Sequence, residues 1–251
     1  MIPLRDSIPA SRPPVVRNAL VGLCSLMWLL QLSQSSDALV FGFGMVPERI
    51  FGDGSVRLLG GRVYDLPIAY VPEWLTLLTC TFLHGGWLHF LGNMLFLWIF
   101  GDNVEDRFGS GLFLLFYLGC GVAASAAHLV AAPDSALPTI GASGAIAGVM
   151  GAYMFLYPRS RVLALLPLGF VLIDVVLPAP FFLGYWFVLQ LIQGAGSAAQ
   201  GGVAWWAHIG GFLVGAVVAA GLRLSERLQP APRSIVLTGR RRSKAPWHRR
   251  I

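Results

Sequence analysis

The sequence predicts an all-α membrane protein whose helices cross the bilayer six times. Three observations carry that prediction. Only 12% of the 251 residues are charged and 56% are hydrophobic, whereas a soluble domain carries roughly 25% charged residues. The apolar residues gather in long blocks, several of them near the roughly 18 residues that span a bilayer core of about 30 Å. The basic residues, finally, fall on one side of the membrane when the blocks are counted as six.

The elements follow in order. A polar leader over 1–15, broken by prolines and lacking a small-residue cleavage site, precedes a first span over 16–33. Residues 34–83 are mixed, with Pro47, Pro67 and Pro72 among apolar residues such as Phe41, Phe43, Phe51 and Trp74. That composition predicts an ordered extramembrane or interfacial insertion with short helices. A second span over 86–100 ends at the polar run 101–107. The third covers 109–131 and the fourth 141–157, where Pro158 and Arg159 stop it.

Two apolar pieces follow, 162–177 and 181–192, separated by Pro178 and Pro180. The first holds Pro167 and Asp174 and reads as an interfacial excursion; the second, with 178 onward, reads as the fifth span. The last span covers 204–222. With the N-terminus cytoplasmic, fifteen of the eighteen Lys and Arg residues lie inside, and Arg49, Arg57 and Arg62 lie in the long outer insertion. A seventh span would put the basic tail outside, against the positive-inside rule. The expected organisation is thus a cytoplasmic leader over 1–15, a six-span domain over 16–223 and a basic, disordered cytoplasmic tail over 224–251.

The net charge of +6 sits largely in the termini, including Arg240, Arg241, Arg242, Lys244, Arg249 and Arg250. That placement suits an anionic leaflet. It does not make the basic, aromatic-bearing face that binds nucleic acid, and no nucleic-acid partner is expected. Cys24, Cys80 and Cys120 are scattered through apolar stretches, giving neither a disulfide framework nor a metal site. No metal or other cofactor is expected.

Polar residues inside spans are costly and need a reason. His89 and Asn93 are four apart and share a helix face. Ser143 opens the fourth span within Gly141-Ala142-Ser143-Gly144, and His208 lies one turn into the last span within Ala207-His208-Ile209-Gly210-Gly211. In the six-span topology the second, fourth and sixth spans run from outside to inside, so all four residues share one depth near the outer surface. Seven spans would send His208 to the opposite leaflet from Ser143.

Each residue alone has an ordinary explanation. A serine at a helix start caps or packs, a membrane histidine bonds a backbone, and an asparagine glues helices. Gly144 with Gly148 and Gly211 with Gly215 give two spans faces on which backbones approach closely. Generic packing accounts for those glycines but not for the Ser and His beside them. Ser143 on such a face is short enough to meet His208 only if the helices nearly touch. A hydroxyl nucleophile needs a base that later serves as an acid, and one imidazole does both. The oxyanion needs donors, of which the Ser143 amide, His89 and Asn93 are suitable types. No carboxylate lies in the outer halves of these spans, so the chain predicts a Ser–His dyad rather than a triad.

These residues resemble the rhomboid family of intramembrane serine proteases. The stretch from His84 to Asn93 is similar to the family's second-span signature, and Gly141-Ala142-Ser143-Gly144 resembles its GxSG nucleophile motif. Ala207-His208-Ile209-Gly210-Gly211 with Gly215 resembles its catalytic-histidine helix, and Asp102 to Gly109 the turn after the second span. The resemblance runs in order from about Trp74 to Gly221. It implies a six-transmembrane-helix rhomboid-like bundle with a membrane-embedded first loop, formed here by 34–83. It implies Ser143 and His208 as the catalytic dyad and His89 and Asn93 as the oxyanion and substrate-binding pair, with Gly141, Gly144, Gly211 and Gly215 supporting the motifs. It also implies a structural role for His84 beside the first loop.

Partners would then be the lipid bilayer and transmembrane protein substrates, cut near the outer end of a span at a small residue where the helix unwinds easily. The expected location is the bacterial inner membrane, both termini cytoplasmic. One departure is visible. Some members carry an aromatic ring four residues after the serine, where this chain has Ala147, leaving the orientation of His208 to residues such as Trp205 or Trp206. Those tryptophans also suit an interfacial aromatic belt. The competing readings are a rhomboid-like pseudoprotease that binds helices without cutting, and a small transporter. The transporter predicts polar residues spread through the membrane or a repeated half, and neither is seen.

Overall fold

The computed structural model describes residues 1–34, 37–52, 55–57, 63–169, 171–196, 204–225, 228–229 and 234–237, of which 55–57, 63–64 and 196 are described by backbone alone. Among them six helices run fourteen residues or longer: α1 (Val15–Ser33), α5 (Trp87–Phe108), α6 (Ser110–Ala131), α7 (Ser143–Leu156), α8 (Ala179–Gly196) and α9 (Trp205–Leu224). Three of these, α1, α6 and α9, are long and apolar enough to cross a membrane, and α7 and α8 are shorter apolar helices. The short helices α2 (Ala38–Phe43), α3 (Pro47–Phe51) and α4 (Glu73–Thr79) lie between α1 and α5, with the hairpin β2 (Ser55–Arg57) and β3 (Val63–Asp65).

α5 runs about two turns beyond its apolar stretch, through the run expected to be a turn. Its carboxylates have employment there. α1 begins after Pro14 with no side-chain cap of its own, so its first amides would be orphaned. Glu105 supplies the acceptor, taking the Val16 amide at 3.0 Å and the Arg17 amide at 2.8 Å. A carboxylate also suits the positive end of a helix. Asp106 likewise accepts from the amide and hydroxyl of Ser11, at 2.9 and 2.6 Å. Arg17, itself buried, donates to the Trp98 carbonyl at 2.8 Å and lies over the Trp98 ring. Gly109, at φ +76°, then turns the chain directly into α6, in a region that disfavours a side chain.

The helical class accounts for most of the described residues, and a three-stranded sheet, besides the β2–β3 hairpin, is an addition to it. Residues expected as an interfacial excursion form an antiparallel hairpin, β4 (Arg161–Leu168) and β5 (Val171–Pro178), and the leader adds β1 (Ile2–Asp6) to its β4 edge. Val162, Val171, Ile173, Val175 and Val176 supply the β-branched content that favours strands, and Gly169 at φ +61° begins the turn. Asp6 anchors β1 to the helices: the Asn103 amide donates to its Oδ2 at 2.7 Å, and the Tyr153 hydroxyl donates to the same oxygen. Of the basic tail, Gln229 and Ile235 donate backbone bonds to Arg107 and Ser7; Arg240 to Arg242, Lys244, Arg249 and Arg250 lie outside the described residues.

Between α1 and α5, Arg49 holds the irregular chain together. It donates to the carbonyls of Phe41, Gly44 and Pro67 at 2.8, 2.9 and 2.6 Å and pairs with Glu73 at 3.3 Å. A single guanidinium fork thus satisfies three backbone carbonyls. The Met45 and Thr139 backbones bridge this segment to the approach to α7, which fixes where α7 starts.

The core centres on α7, packed between α9, α6 and α5. Glycines set the α7–α9 distance. A side chain at Gly211 would collide with the Gly144 carbonyl, one at Gly215 with the Gly148 carbonyl, and one at Gly151 with the Phe212 carbonyl. The two helices therefore meet backbone to backbone, as small-residue faces permit.

Candidate active site

That close approach brings together residues 65 positions apart: His208 Nε2 lies 2.8 Å from Ser143 Oγ. Ser143 is the first residue of α7 and His208 lies in the first turn of α9. The helix start is held from behind, because the Gly141 amide donates to the Cys80 carbonyl at 2.9 Å. Gly141 adopts φ +128°, and a Cβ there would lie 2.7 Å from the His89 ring. Glycine is needed at 141 on both counts, conformation and space.

His89 and Asn93 lie on α5 and face the same cavity, of about 1370 Å³, that Ser143 and His208 line. His89 Nδ1 accepts the Gly85 amide at 3.3 Å. A neutral imidazole that accepts at one nitrogen carries its proton on the other, so His89 presents an Nε2–H donor beside Gly141. Asn93 is buried, and its Nδ2 has no hydrogen-bond partner among the described residues. A buried amide donor without an acceptor is expensive, and this one lines the cavity beside the serine. The first amides of α7, Ser143 included, also have no carbonyl one turn back to bond. Three kinds of donor therefore border the space in front of the Ser143 hydroxyl.

Residues 71–225 match the family model described as the rhomboid domain, well over half of the chain and all four of these side chains. The chain belongs to the rhomboid family. It is 38% identical over 152 residues to rhomboid protease GluP of Bacillus subtilis, covering 61% of this chain and 27% of that protein. It is 32% identical over 155 residues to Rhomboid-like protein 11, chloroplastic, of Arabidopsis thaliana, covering 59% and 52%. Rhomboid protein 1, mitochondrial, of Saccharomyces cerevisiae is 30% identical over 155 residues, covering 58% and 41%. The matched part thus spans about a quarter to a half of these relatives. Rhomboid membership and the three apolar helices make the chain an integral membrane protein.

Within this rhomboid domain the surroundings of His208 hold the surprises. Ala147 is fully buried and offers no ring. Trp205 stands edge-on to the imidazole with centroids 6.0 Å apart, and Trp186 of α8 lies 5.8 Å away. Trp206 lines the cavity. The direct polar partner is Gln190 of α8, whose Oε1 lies 2.7 Å from His208 Nδ1. The sequence reading singled out neither Gln190 nor Trp186. The available signal was a pair of amides, Gln190 and Gln193, in an otherwise apolar helix, since a polar residue there needs a buried partner.

His84 lies at the junction of the 34–83 segment and α5. Its ring nitrogens have no hydrogen-bond partner among the described residues. Its backbone makes the tie instead, exchanging bonds with the Gln31 side chain of α1, each at 2.9 Å. The His84 ring packs edge-on against His89 and Phe90.

Proposed function

We propose that this rhomboid-family protein is an intramembrane serine endopeptidase that hydrolyses peptide bonds in or near transmembrane segments of other membrane proteins. The observation that carries the reading is the 2.8 Å contact between Ser143 Oγ and His208 Nε2 at the rim of a cavity. In this mechanism His208 Nε2 takes the hydroxyl proton as Ser143 Oγ attacks the scissile carbonyl. The anion that forms is received by the Ser143 amide, the Asn93 amide and His89 Nε2–H. His208 then passes its proton to the leaving amine, and water, deprotonated by the same imidazole, hydrolyses the acyl-enzyme.

The reading includes a six-span arrangement in which α1, α5, α6, α7, α8 and α9 cross the membrane and residues 34–83 are embedded at the outer face. Both termini are then cytoplasmic, and the membrane is a bacterial inner membrane. The distribution of Lys and Arg supports this orientation. The leader and tail flank a single proteolytic domain over 16–223. No cofactor enters the chemistry.

A fluorophosphonate probe on the detergent-purified protein tests the dyad. One adduct mapped by peptide mass spectrometry to Ser143, and lost in His208→Ala, is the expected result. An unlabelled wild type would favour the pseudoprotease reading, and an adduct elsewhere would displace Ser143 as nucleophile.

A further inference from the structure

A base in this site must present a bare Nε2 to the Ser143 hydroxyl, which requires the imidazole proton on Nδ1. In triad enzymes a carboxylate selects that tautomer by accepting the Nδ1 proton. Among the described residues no carboxylate hydrogen-bonds His208, and its Nδ1 faces the side chain of Gln190 at 2.7 Å. Gln190 is buried.

An amide can do this only in one orientation. With its oxygen towards His208 it accepts the Nδ1 proton. With its NH2 group there it would force Nδ1 to accept, moving the ring proton to Nε2 and pointing it at the serine. The amide is held in the first orientation by its own helix: Gln190 Nε2 donates to the Trp186 carbonyl, one turn earlier on α8, at 3.4 Å. Trp186 meanwhile lies against the imidazole, and Trp205 stands edge-on to it. The chain from the Trp186 carbonyl to the Gln190 amide, the imidazole and Ser143 Oγ is thus directional at every link.

Resting on the Ser143–His208 reading, we infer that Gln190 is the positioning residue that fixes His208 in its Nδ1–H tautomer, a neutral third member of the catalytic chain contributed by α8. It supplies the acceptor and the orientation that a carboxylate would, without the charge.

The test is steady-state cleavage of a single-span substrate in liposomes across pH 5 to 9 by wild type, Gln190→Leu and Gln190→Glu. Besides His208 itself, the titratable side chains lining its cavity are His89 on α5, His128 on α6 and Asp134 after α6, and none is altered. Gln190→Leu, close in volume and without an acceptor, is expected to lower kcat about 10- to 100-fold with KM little changed; removing the carboxylate tautomer control from a serine protease costs up to about 10⁴. Gln190→Glu keeps the acceptor and adds a charge that favours the imidazolium. It is expected to recover turnover at high pH and to move the acid limb of kcat/KM upward by about one pH unit or more.

Wild-type turnover and pH profile in Gln190→Leu would overturn the assignment. So would an unmoved acid limb in Gln190→Glu, which also serves if the leucine variant fails to fold. An inactive, probe-resistant wild type is a different failure. It removes the dyad reading itself, and this inference with it.

Discussion

Gly211→Ala perturbs the proposed dyad without touching either of its side chains. A Cβ built at Gly211 lies 3.0 Å from the carbonyl carbon of Gly144 and closer still to the oxygen. Non-bonded carbons settle at about 3.5–4.0 Å, so α9 and α7 must part by roughly 1 Å. Gly144 follows Ser143 directly and Gly211 lies one turn beyond His208, so the displacement falls on the pair itself. The 2.8 Å contact then opens to roughly 3.8 Å, beyond the range of a hydrogen bond.

A misplacement of about 1 Å costs up to about 10²-fold in rate. Overpacking costs about 1–3 kcal/mol of stability, of which the better helix propensity of alanine returns about 1 kcal/mol. The assay is kcat and KM for a single-span substrate in liposomes, with thermal unfolding alongside. Gly221→Ala is the control on the same helix, because nothing lies within 4 Å of its Cβ position. It is expected to keep full activity and to be as stable as wild type or slightly more so. Wild-type kcat in Gly211→Ala, or equal slowing in Gly221→Ala, would refute the claim that glycine-set spacing assembles the site.

Three further outcomes are expected. Asn93→Ala lowers kcat by about 10²-fold, no more than about 10³-fold, with KM nearly unchanged, because an oxyanion donor acts mainly in the transition state; a change confined to KM contradicts that role. Asp6 links β1 to Asn103 and Tyr153, and burial, with Asp102 nearby, pushes its carboxyl from 3.8 up to about 7. The folded state therefore binds the proton more tightly than the unfolded state does. The stability this gives is complete below pH about 4 and is lost as pH rises to about 7. Protection of the β1 amides, taken as exchange relative to the intrinsic rate at each pH, should fall across that window and level off above it, and Asp6→Asn should abolish the trend. Glu105→Ala removes the acceptor for the Val16 and Arg17 amides and for the Ser110 hydroxyl. A loss of about 2–4 kcal/mol in unfolding free energy is expected, with turnover per folded molecule unchanged.

The long helices were legible because their cause is local. Apolar blocks, glycine punctuation and helix-breaking prolines located α1, α6, α7 and α9 within a residue or two. The end of α5 was not legible, because Asp102 to Arg107 read as polar turn residues until Glu105 and Asp106 find the start of α1 and Ser11. The β1–β4–β5 sheet was hidden for a related reason. β1 and β4 pair residues more than 150 positions apart, and an apolar run such as 162–168 suits a strand or a membrane-surface segment equally.

At the site, the shared depth of polar residues inside apolar spans indicated Ser143, His208, His89 and Asn93 as candidates, the last two also four apart on one helix, and the small-residue faces indicated which helices meet. Gln190 was missed because its meaning lies entirely across a helix pair. Nothing on α8 itself distinguishes it from the neighbouring Gln193, and only the distance to His208 does.

The most direct test is cleavage of a model single-span substrate by purified protein in liposomes, wild type beside Ser143→Ala. The account predicts a discrete product, cut near the outer end of the span, from the wild type alone. Cleavage by both proteins, or by neither when the wild type also resists a serine-directed probe, would contradict it.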